Sequence, residues 1–326
     1  MKIYLTGHTG FIGSHLKHRL EQQGHTLIPS DIDLREHQAI RNHVVAAQPD
    51  IIVHLAARTE VQDSFYEQTT FSDVNYTGTV NLIEAAREVV GLKNFVFAST
   101  MEVYGWQPIS DRIRDGLDDQ TRIELENGVH VFDENTPPNP NAPYAVAKYG
   151  CEKYLEYAHR SYGLPFTVLR QTNSYGRRDN NFFVTEQIIH QMLTNPNDVY
   201  LGYAKPWRNF LYIDDLLDAW CAVIENSDKC IGEIFCLGPN NALSISSYVK
   251  MIAGKLAWDG EVHWDTKPAR PGEIYFLNSA SSKIEHLLGW SPLTDLSTGV
   301  DKTIETWQDI VANNVYFKNQ SENRTS

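Results

Sequence analysis

Tyr144-Ala-Val-Ala-Lys148 sets a phenol and an ammonium four residues apart, one turn apart on the same face of a helix. A lysine beside a tyrosine favours the phenolate and lowers the tyrosine pKa toward a working range. Such a pair can take a hydroxyl proton while hydride leaves the carbon that bears it. Upstream, Ser99-Thr100 closes a β-branched run, and a hydroxyl there can share the hydrogen bond to the substrate. Hydride transfer needs an acceptor, and Gly7-His-Thr-Gly10-Phe11-Ile12-Gly13 offers a place for one. Glycine removes Cβ where the backbone must turn tightly and approach a pyrophosphate, and the helix that follows points free N–H groups and a positive dipole end at the phosphates. The spacing GxxGxxG is a variant of the GxGxxG fingerprint. Asp31, 18 residues after Gly13, can accept from ribose hydroxyls and repel a 2′-phosphate. NAD is therefore expected ahead of NADP, with Arg35 nearby tempering the preference. Asp33-Leu34 places a second carboxylate where it meets the adenine amino group, or else caps a helix starting at Arg35.

These groups must be held by elements, and the first half of the chain supplies them in alternation. Residues 2–6, 25–30, 51–55 and 94–98 read as strands; 11–23, 35–48 and 75–90 have helical length and apolar spacing. In 75–90, Val80, Ile83 and Arg87 fall at steps of three or four, with Leu82 and Ala86 widening the face. Such alternation implies an α/β chain with a doubly wound parallel sheet, whose ligands sit beyond the carboxyl ends of the strands. From 106 to 142 the pattern is lost. Pro137, Pro138, Pro140 and Pro143 mark an extended loop, and acids cluster at 115–119; the segment reads as a lid over the mouth of the site or a disordered insertion. A helix at 144–162 and a strand at 166–170 follow. The expected division is a dinucleotide-binding domain over 1–170, re-entered around 210–240. The remainder, 171–326, is mainly a smaller α/β substrate lobe ending in a polar tail at 318–326.

Composition narrows the classes. The net charge of −13 over 326 residues argues against nonspecific nucleic-acid binding, while local arginines can still hold a phosphorylated ligand. No apolar run approaches the roughly 20 residues that span a bilayer. The four cysteines lack zinc or redox spacing, so no metal is expected and reduced thiols in a cytoplasm are the plain reading.

Taken together, the glycine turn, His54-Leu55-Ala56-Ala57, Asn75-Tyr-Thr-Gly-Thr79, Ser99-Thr-Met-Glu-Val-Tyr-Gly105 and Pro143-Tyr-Ala-Val-Ala-Lys148 resemble the extended short-chain dehydrogenases that act on nucleotide sugars. So do Asn173-Ser-Tyr-Gly176, Arg208-Asn-Phe-Leu-Tyr-Ile-Asp-Asp215 and Leu287-Leu-Gly-Trp-Ser-Pro292, in the family's order. The resemblance implies a Rossmann-type fold with Leu55, Ala56, Ala57 and Gln171 lining the cofactor site beside Tyr144 and Lys148. Asn173, Arg208 and Arg270 would face the substrate nucleotide or its diphosphate, which suits the paired donors of arginine. It also implies a homodimer through the helices at 75–90 and 144–162.

Glu102 bears on the reaction. The motif Ser-Thr-x-Glu-Val-Tyr-Gly resembles 4,6-dehydratases and nucleotide-sugar decarboxylases; simple 4-epimerases usually carry small residues at that position. In the dehydratases such a glutamate takes the C5 proton once a 4-keto group has acidified it. Ala142-Pro-Tyr-Ala-Val-Ala-Lys148 and Arg177-Arg-Asp-Asn-Asn-Phe-Phe-Val-Thr185 look most like GDP-mannose 4,6-dehydratases, and Arg58-Thr-Glu-Val-Gln-Asp-Ser-Phe65 resembles the dehydratase pattern after the paired alanines. Met101, however, stands where dTDP-glucose dehydratases have an acid. The expected activity is thus 4,6-dehydration of a nucleotide-diphosphate sugar, with Thr100 and Glu102 also touching substrate. The alternatives are a 4-epimerase or decarboxylase on the same scaffold, or a non-catalytic dinucleotide sensor.

Overall fold

A computed structural model describes residues 1–313 apart from 179, 268 and 269; the polar tail expected at 318–326 lies outside them. The apolar runs form six parallel strands: β1 (Lys2–Thr6), β2 (Thr26–Ser30), β3 (Ile51–His54), β4 (Asn94–Thr100), β5 (Phe166–Gln171) and β6 (Glu233–Leu237). Their order is β2-β1-β3-β4-β5-β6. β3 and β4 are buried along their whole length, as uninterrupted apolar strands in a doubly covered sheet must be.

Five helices cover the two faces: α1 (Phe11–Gln22), α2 (His37–Ala47), α3 (Gly78–Ala86), α4 (Pro143–Tyr162) and α5 (Ile213–Glu225). The period of two along β1 divides the core. Ile3 and Leu5 pack with Leu16 and Leu20 of α1 and with Leu217 and Trp220 of α5. Tyr4, between them, faces Ile40 and Val44 of α2, Leu82 and Ile83 of α3 and Leu155 of α4. Pro29 lies in the edge strand β2, where its missing N–H breaks no ladder. The chain runs from β2 straight through 31–36 into α2, and among the described residues no further strand lies beyond β2. The direction of winding reverses between β1 and β3, which opens a crevice at their carboxyl ends.

Two expectations are corrected here. The helix expected over 75–90 is a π-helical segment, Ser72–Thr77, running into α3. Its buried face is Leu82, Ile83, Ala85 and Ala86; Arg87 is exposed, paired with Glu84 and stacked 3.5 Å from the Tyr162 ring. The widened π turn shifts the register of the apolar face. The second correction is larger. Residues 106–142 carry two helices, Pro108–Asp115 and Asp119–Glu126. The first starts on a proline at its N-terminus, and Asp118 caps the second by accepting from Thr121 N at 2.6 Å. Ile109, Ile113, Leu125 and Phe132 are buried in a third core with Met101, Val103, Tyr104, Trp207, Phe276 and Leu277. The segment is folded structure whose apolar face has found a partner far along the chain.

That partner is built from the C-terminal half. Trp207–Arg208 pairs with Leu243–Ser244 and Phe276–Leu277, and Asp198–Tyr200 pairs with Glu261–His263. Helices Val184–Thr194, Ile245–Leu256 and Leu296–Ala312 pack around them. No described helix is long and apolar enough to cross a membrane.

Candidate active site

The glycine turn follows β1 directly. Gly7 has φ +70°, and a Cβ there would lie 2.6 Å from Ala56 N, so the turn presses against the chain leaving β3. A Cβ at Gly13 would lie 2.0 Å from Gly7 O. Gly10 N donates to Gly7 O at 3.1 Å, and Gly10 caps α1 with no side chain bonded to the first helical N–H groups. This backbone cradle, at the switch point and at a helix N-terminus, fits a dinucleotide pyrophosphate.

A cleft of about 520 Å³ runs from this turn toward β4 and β5. Gly7, Gly10, Phe11, Ile12 and Gly13 line one end, with Leu55, Ala56 and Ala57 beside them. Thr100, Glu102, Tyr144, Lys148, Gln171 and Asn173 line the other. Residues read from distant parts of the sequence thus meet in one cavity. A larger hollow, about 630 Å³, lies at the amino ends of β4 and β5. Its arginines Arg41 and Arg87 are paired with Glu88 and Glu84, and it lies at the opposite end of the strands from the Gly7–Gly13 turn and Tyr144, so the chemistry points to the cleft at their carboxyl ends.

The acids after β2 stand apart from it. Asp31 is 81% exposed and meets His8 Nε2 at 3.5 Å. Asp33 grips Arg35 instead, through Arg35 N and Nε at 3.0 Å and a further bond from its other guanidinium nitrogen. That pairing holds the Asp33 carboxyl down at about 2. It also engages the Arg35 guanidinium that was expected to temper Asp31. α2 begins only at His37, so Asp33 does not cap it. The Leu34 side chain is buried against Gly78, and its carbonyl accepts from Asn81 Nδ2 at 2.9 Å.

At the other end, Thr100 is the last residue of β4, and its hydroxyl accepts from Glu102 N at 3.2 Å in the tight turn Met101–Tyr104. Pro143 opens α4, which puts Tyr144 in its first turn and Lys148 one turn on. Lys148 Nζ donates to Ala98 O at 2.8 Å and lies 4.6 Å from the centre of the Phe97 ring. Burial lowers the lysine to about 8. Tyr144 is raised, first by burial and then by the Glu102 charge, against a hydrogen bond with Thr100 that works the other way. The lowering expected from the lysine is therefore not what governs Tyr144 in this form: desolvation outweighs it. Glu102 is half-buried and also raised, by burial foremost, while Arg208 and Arg270 pull it down.

Neither arginine lines the cleft itself. Arg208, 7% exposed, donates to Trp207 O at 2.9 Å, Ile274 O at 2.5 Å and Glu273 at 3.2 Å. Arg270 donates to Gln62 at 3.2 Å and lies 3.9 Å from Glu273. The two cations converge on one carboxylate, within electrostatic reach of Glu102. Asn173 Nδ2 donates to Asn209 O at 3.3 Å, and Gln171 accepts from Trp220 Nε1 at 3.4 Å. None of 106–142 lines the cleft, though its end reaches the Arg270–Glu273 region, where Asn141 Nδ2 donates to Gly272 O at 3.1 Å. Sequence reasoning missed Glu60, Arg177 and Phe183 as lining residues. Arg177 lies 4.3 Å from the Phe11 ring and 3.7 Å from that of Phe183. Glu60 and Arg177 stood inside stretches that carried the resemblance, but nothing local in the sequence gave them a wall to face.

A doubly wound sheet with a glycine turn at its switch point, and a Tyr-Lys pair over the same crevice, defines an extended short-chain dehydrogenase/reductase. The chain belongs to the NAD dependent epimerase/dehydratase family, whose model matches residues 3–238. A dTDP-glucose 4,6-dehydratase of Streptomyces niveus is 30% identical, over 95% of this chain and 93% of that protein. A UDP-glucose 4-epimerase from Thermotoga maritima, solved with UDP-glucose, superposes with a TM-score of 0.82 at 26% identity, over 95% of this chain and 100% of the other. One from Thermus thermophilus, in complex with NAD, gives 0.80 at 25% identity, over 94% and 99%.

Proposed function

We propose that this chain binds NAD and a nucleotide-diphosphate sugar in the cleft and converts the sugar by 4,6-dehydration through a 4-keto intermediate. The observation that carries this is Glu102, a carboxylate on the same cleft wall as Thr100 and Tyr144. Removing hydride from C4 has no use for it, whereas elimination needs a base at C5. The turn at Gly7, Gly10 and Gly13 would hold the pyrophosphate of NAD, with Asp31 toward the adenosine ribose. Bound there, NAD supplies a hydride acceptor and a positive ring that favours ionised Tyr144.

The residues then divide the work. Tyr144, on the same cleft wall as Thr100, takes the C4 hydroxyl proton, and Lys148 maintains a positive charge on the same helix face. Glu102, raised by burial, takes the C5 proton acidified by the neighbouring ketone; the C6 hydroxyl leaves with that proton as water, and the hydride taken from C4 returns to C6, so the cofactor ends in its starting oxidation state. Arg208 and Arg270 hold the diphosphate, with 171–313 acting mainly as the substrate lobe. Met101 favours a second reading. It is 1% exposed and part of the third core, so its turn offers no acid beside Glu102, as suits simple 4-epimerisation. We further propose a cytoplasmic homodimer through α3 and α4, whose outward Val146, Tyr157 and Tyr162 are exposed.

The test is to incubate the protein with NAD and, separately, UDP-glucose, dTDP-glucose and GDP-mannose, and to weigh the products. Loss of one water supports dehydration. An unchanged mass with inverted C4 supports epimerisation, and loss of carbon dioxide from the matching uronates supports decarboxylation. If no sugar reduces bound NAD or turns over, the enzymatic reading fails and a dinucleotide sensor takes its place.

A further inference from the structure

Beneath the cleft lies a charged pair that the chemistry above does not use. Glu152, 0% exposed, and Arg170, 3% exposed, meet at 2.7 Å through Arg170 NH2 and Glu152 Oε2. Arg170 Nε adds a bond to Oε1 at 3.1 Å, and Ser99 Oγ donates to that same oxygen. The pair therefore joins α4, β4 and β5. Ser99 and Arg170 are partners in the β4–β5 ladder, each one residue before a lining residue, Thr100 and Gln171. Glu152 is one helical turn beyond Lys148. On its far side Arg170 donates to Tyr104 Oη at 2.8 Å, and Tyr104 ends the turn that carries Glu102.

We propose that Glu152 and Arg170 are positioning residues, Glu152 acting on the charge of Lys148 and Arg170 acting through Tyr104 on the placement of Glu102. The proposal rests on Lys148 serving the hydride site as a cation. The groups facing Lys148 can be named. From β3 comes His54, buried between Thr6 and Thr79 and held neutral by burial and by Lys148 itself. β4 contributes the Ala98 carbonyl and the Phe97 ring. From α4 come Cys151, whose thiol burial pushes up to about 12, and Glu152. Cys151 first and Glu152 after it pull the lysine up against desolvation, and of the two only Glu152 is a carboxylate. Lys148 loses its charge as pH rises through about 8. Any change that lowers this value moves the alkaline limb of activity toward neutrality.

The test uses the NAD-loaded protein labelled with 13C at lysine Cε, with the Lys148 resonance assigned by its loss in Lys148→Met. Glu152→Gln leaves the Arg170 charge unopposed and should lower the Lys148 titration by about one unit. Arg170→Gln leaves the Glu152 charge unopposed and should raise it. Mere loosening of the core would move both variants the same way, and such a result, or no movement, overturns the proposal. Should either single variant not fold, Glu152→Met with Arg170→Met leaves no unpaired buried charge. It should still lower Lys148, since Glu152 lies one turn from it on the same helix whereas Arg170 lies on β5; an unmoved lysine there overturns the proposal too. Arg170→Lys keeps the charge and loses the Nη1 bond to Tyr104. It should leave Lys148 in place while lowering kcat for product without raising KM; an unchanged kcat overturns the Tyr104 half. The titration needs no nucleotide sugar, so its failure is separate from failure of the proposed reaction.

Discussion

Replacing Gly13 by alanine adds one methyl group 2.0 Å from Gly7 O, 2.8 Å from Gly7 C and 2.9 Å from His8 Cα. Ordinary contact begins near 3.4 Å, and all three atoms are backbone, so no rotamer change relieves the overlap. The turn itself must open. Forcing a methyl into packed structure costs about 1–3 kcal/mol, which in a chain of this size lowers the melting temperature by about 1.5–4.5 °C. Because the displaced atoms form the phosphate cradle, NAD affinity should fall by about tenfold or more. Gly10→Ala is the control. Its Cβ would meet only Gly7 O, at 3.4 Å, and its φ of −76° suits any residue. The unliganded protein should melt almost as before, yet the methyl would stand where the phosphates approach. Thermal melts with and without NAD, with tryptophan fluorescence titration, separate the two. Gly13→Ala should lose both stability and affinity, Gly10→Ala affinity alone. A Gly13→Ala protein with unchanged melting and unchanged NAD affinity would refute the reasoning from the turn.

Glu102→Gln should still let substrate reduce bound NAD but release dehydrated product ~10²–10⁴-fold more slowly, whereas Tyr144→Phe should block the reduction itself; rapid mixing at the NADH absorbance checks both. Unmodified turnover by Glu102→Gln would hand the assignment to epimerisation. Asp31→Ala should narrow the preference for NAD over NADP by more than about tenfold, one charged hydrogen bond being worth about 1.5–3 kcal/mol, and titration of both cofactors reads this directly. Ile113→Ala empties a site that is 2% exposed and should cost about 2–5 kcal/mol in urea unfolding. Unaltered stability would mean that the segment contributes nothing to the fold.

The glycine turn and the Tyr144–Lys148 pair were readable because each is a short-range pattern whose spacing is itself the geometry. Strands and helices of the first half were readable for the same reason, to within one or two residues at most ends. The segment 106–142 was not. Ile109 and Ile113 are spaced for a helix face, but prolines and acids surround them, and the surface they cover, Trp207, Phe276 and Leu277, lies 90 or more residues away. Glu273 as the partner of Arg208 was equally hidden, since an ion pair across 65 residues leaves no local trace. The contacts of Asp33 and Leu34 were not readable either: a carboxylate two residues from an arginine closes a local fork, and the Leu34 side chain goes into the core.

The turn that carries Glu102 is gripped from two sides. Arg170 ties Tyr104 to the main sheet, and Met101, Val103 and Tyr104 itself pack into the core shared with the Trp207 strand. The position of that carboxylate is therefore set jointly by the β4–β5 sheet and by the C-terminal half, and a substitution that shifts either one reaches it.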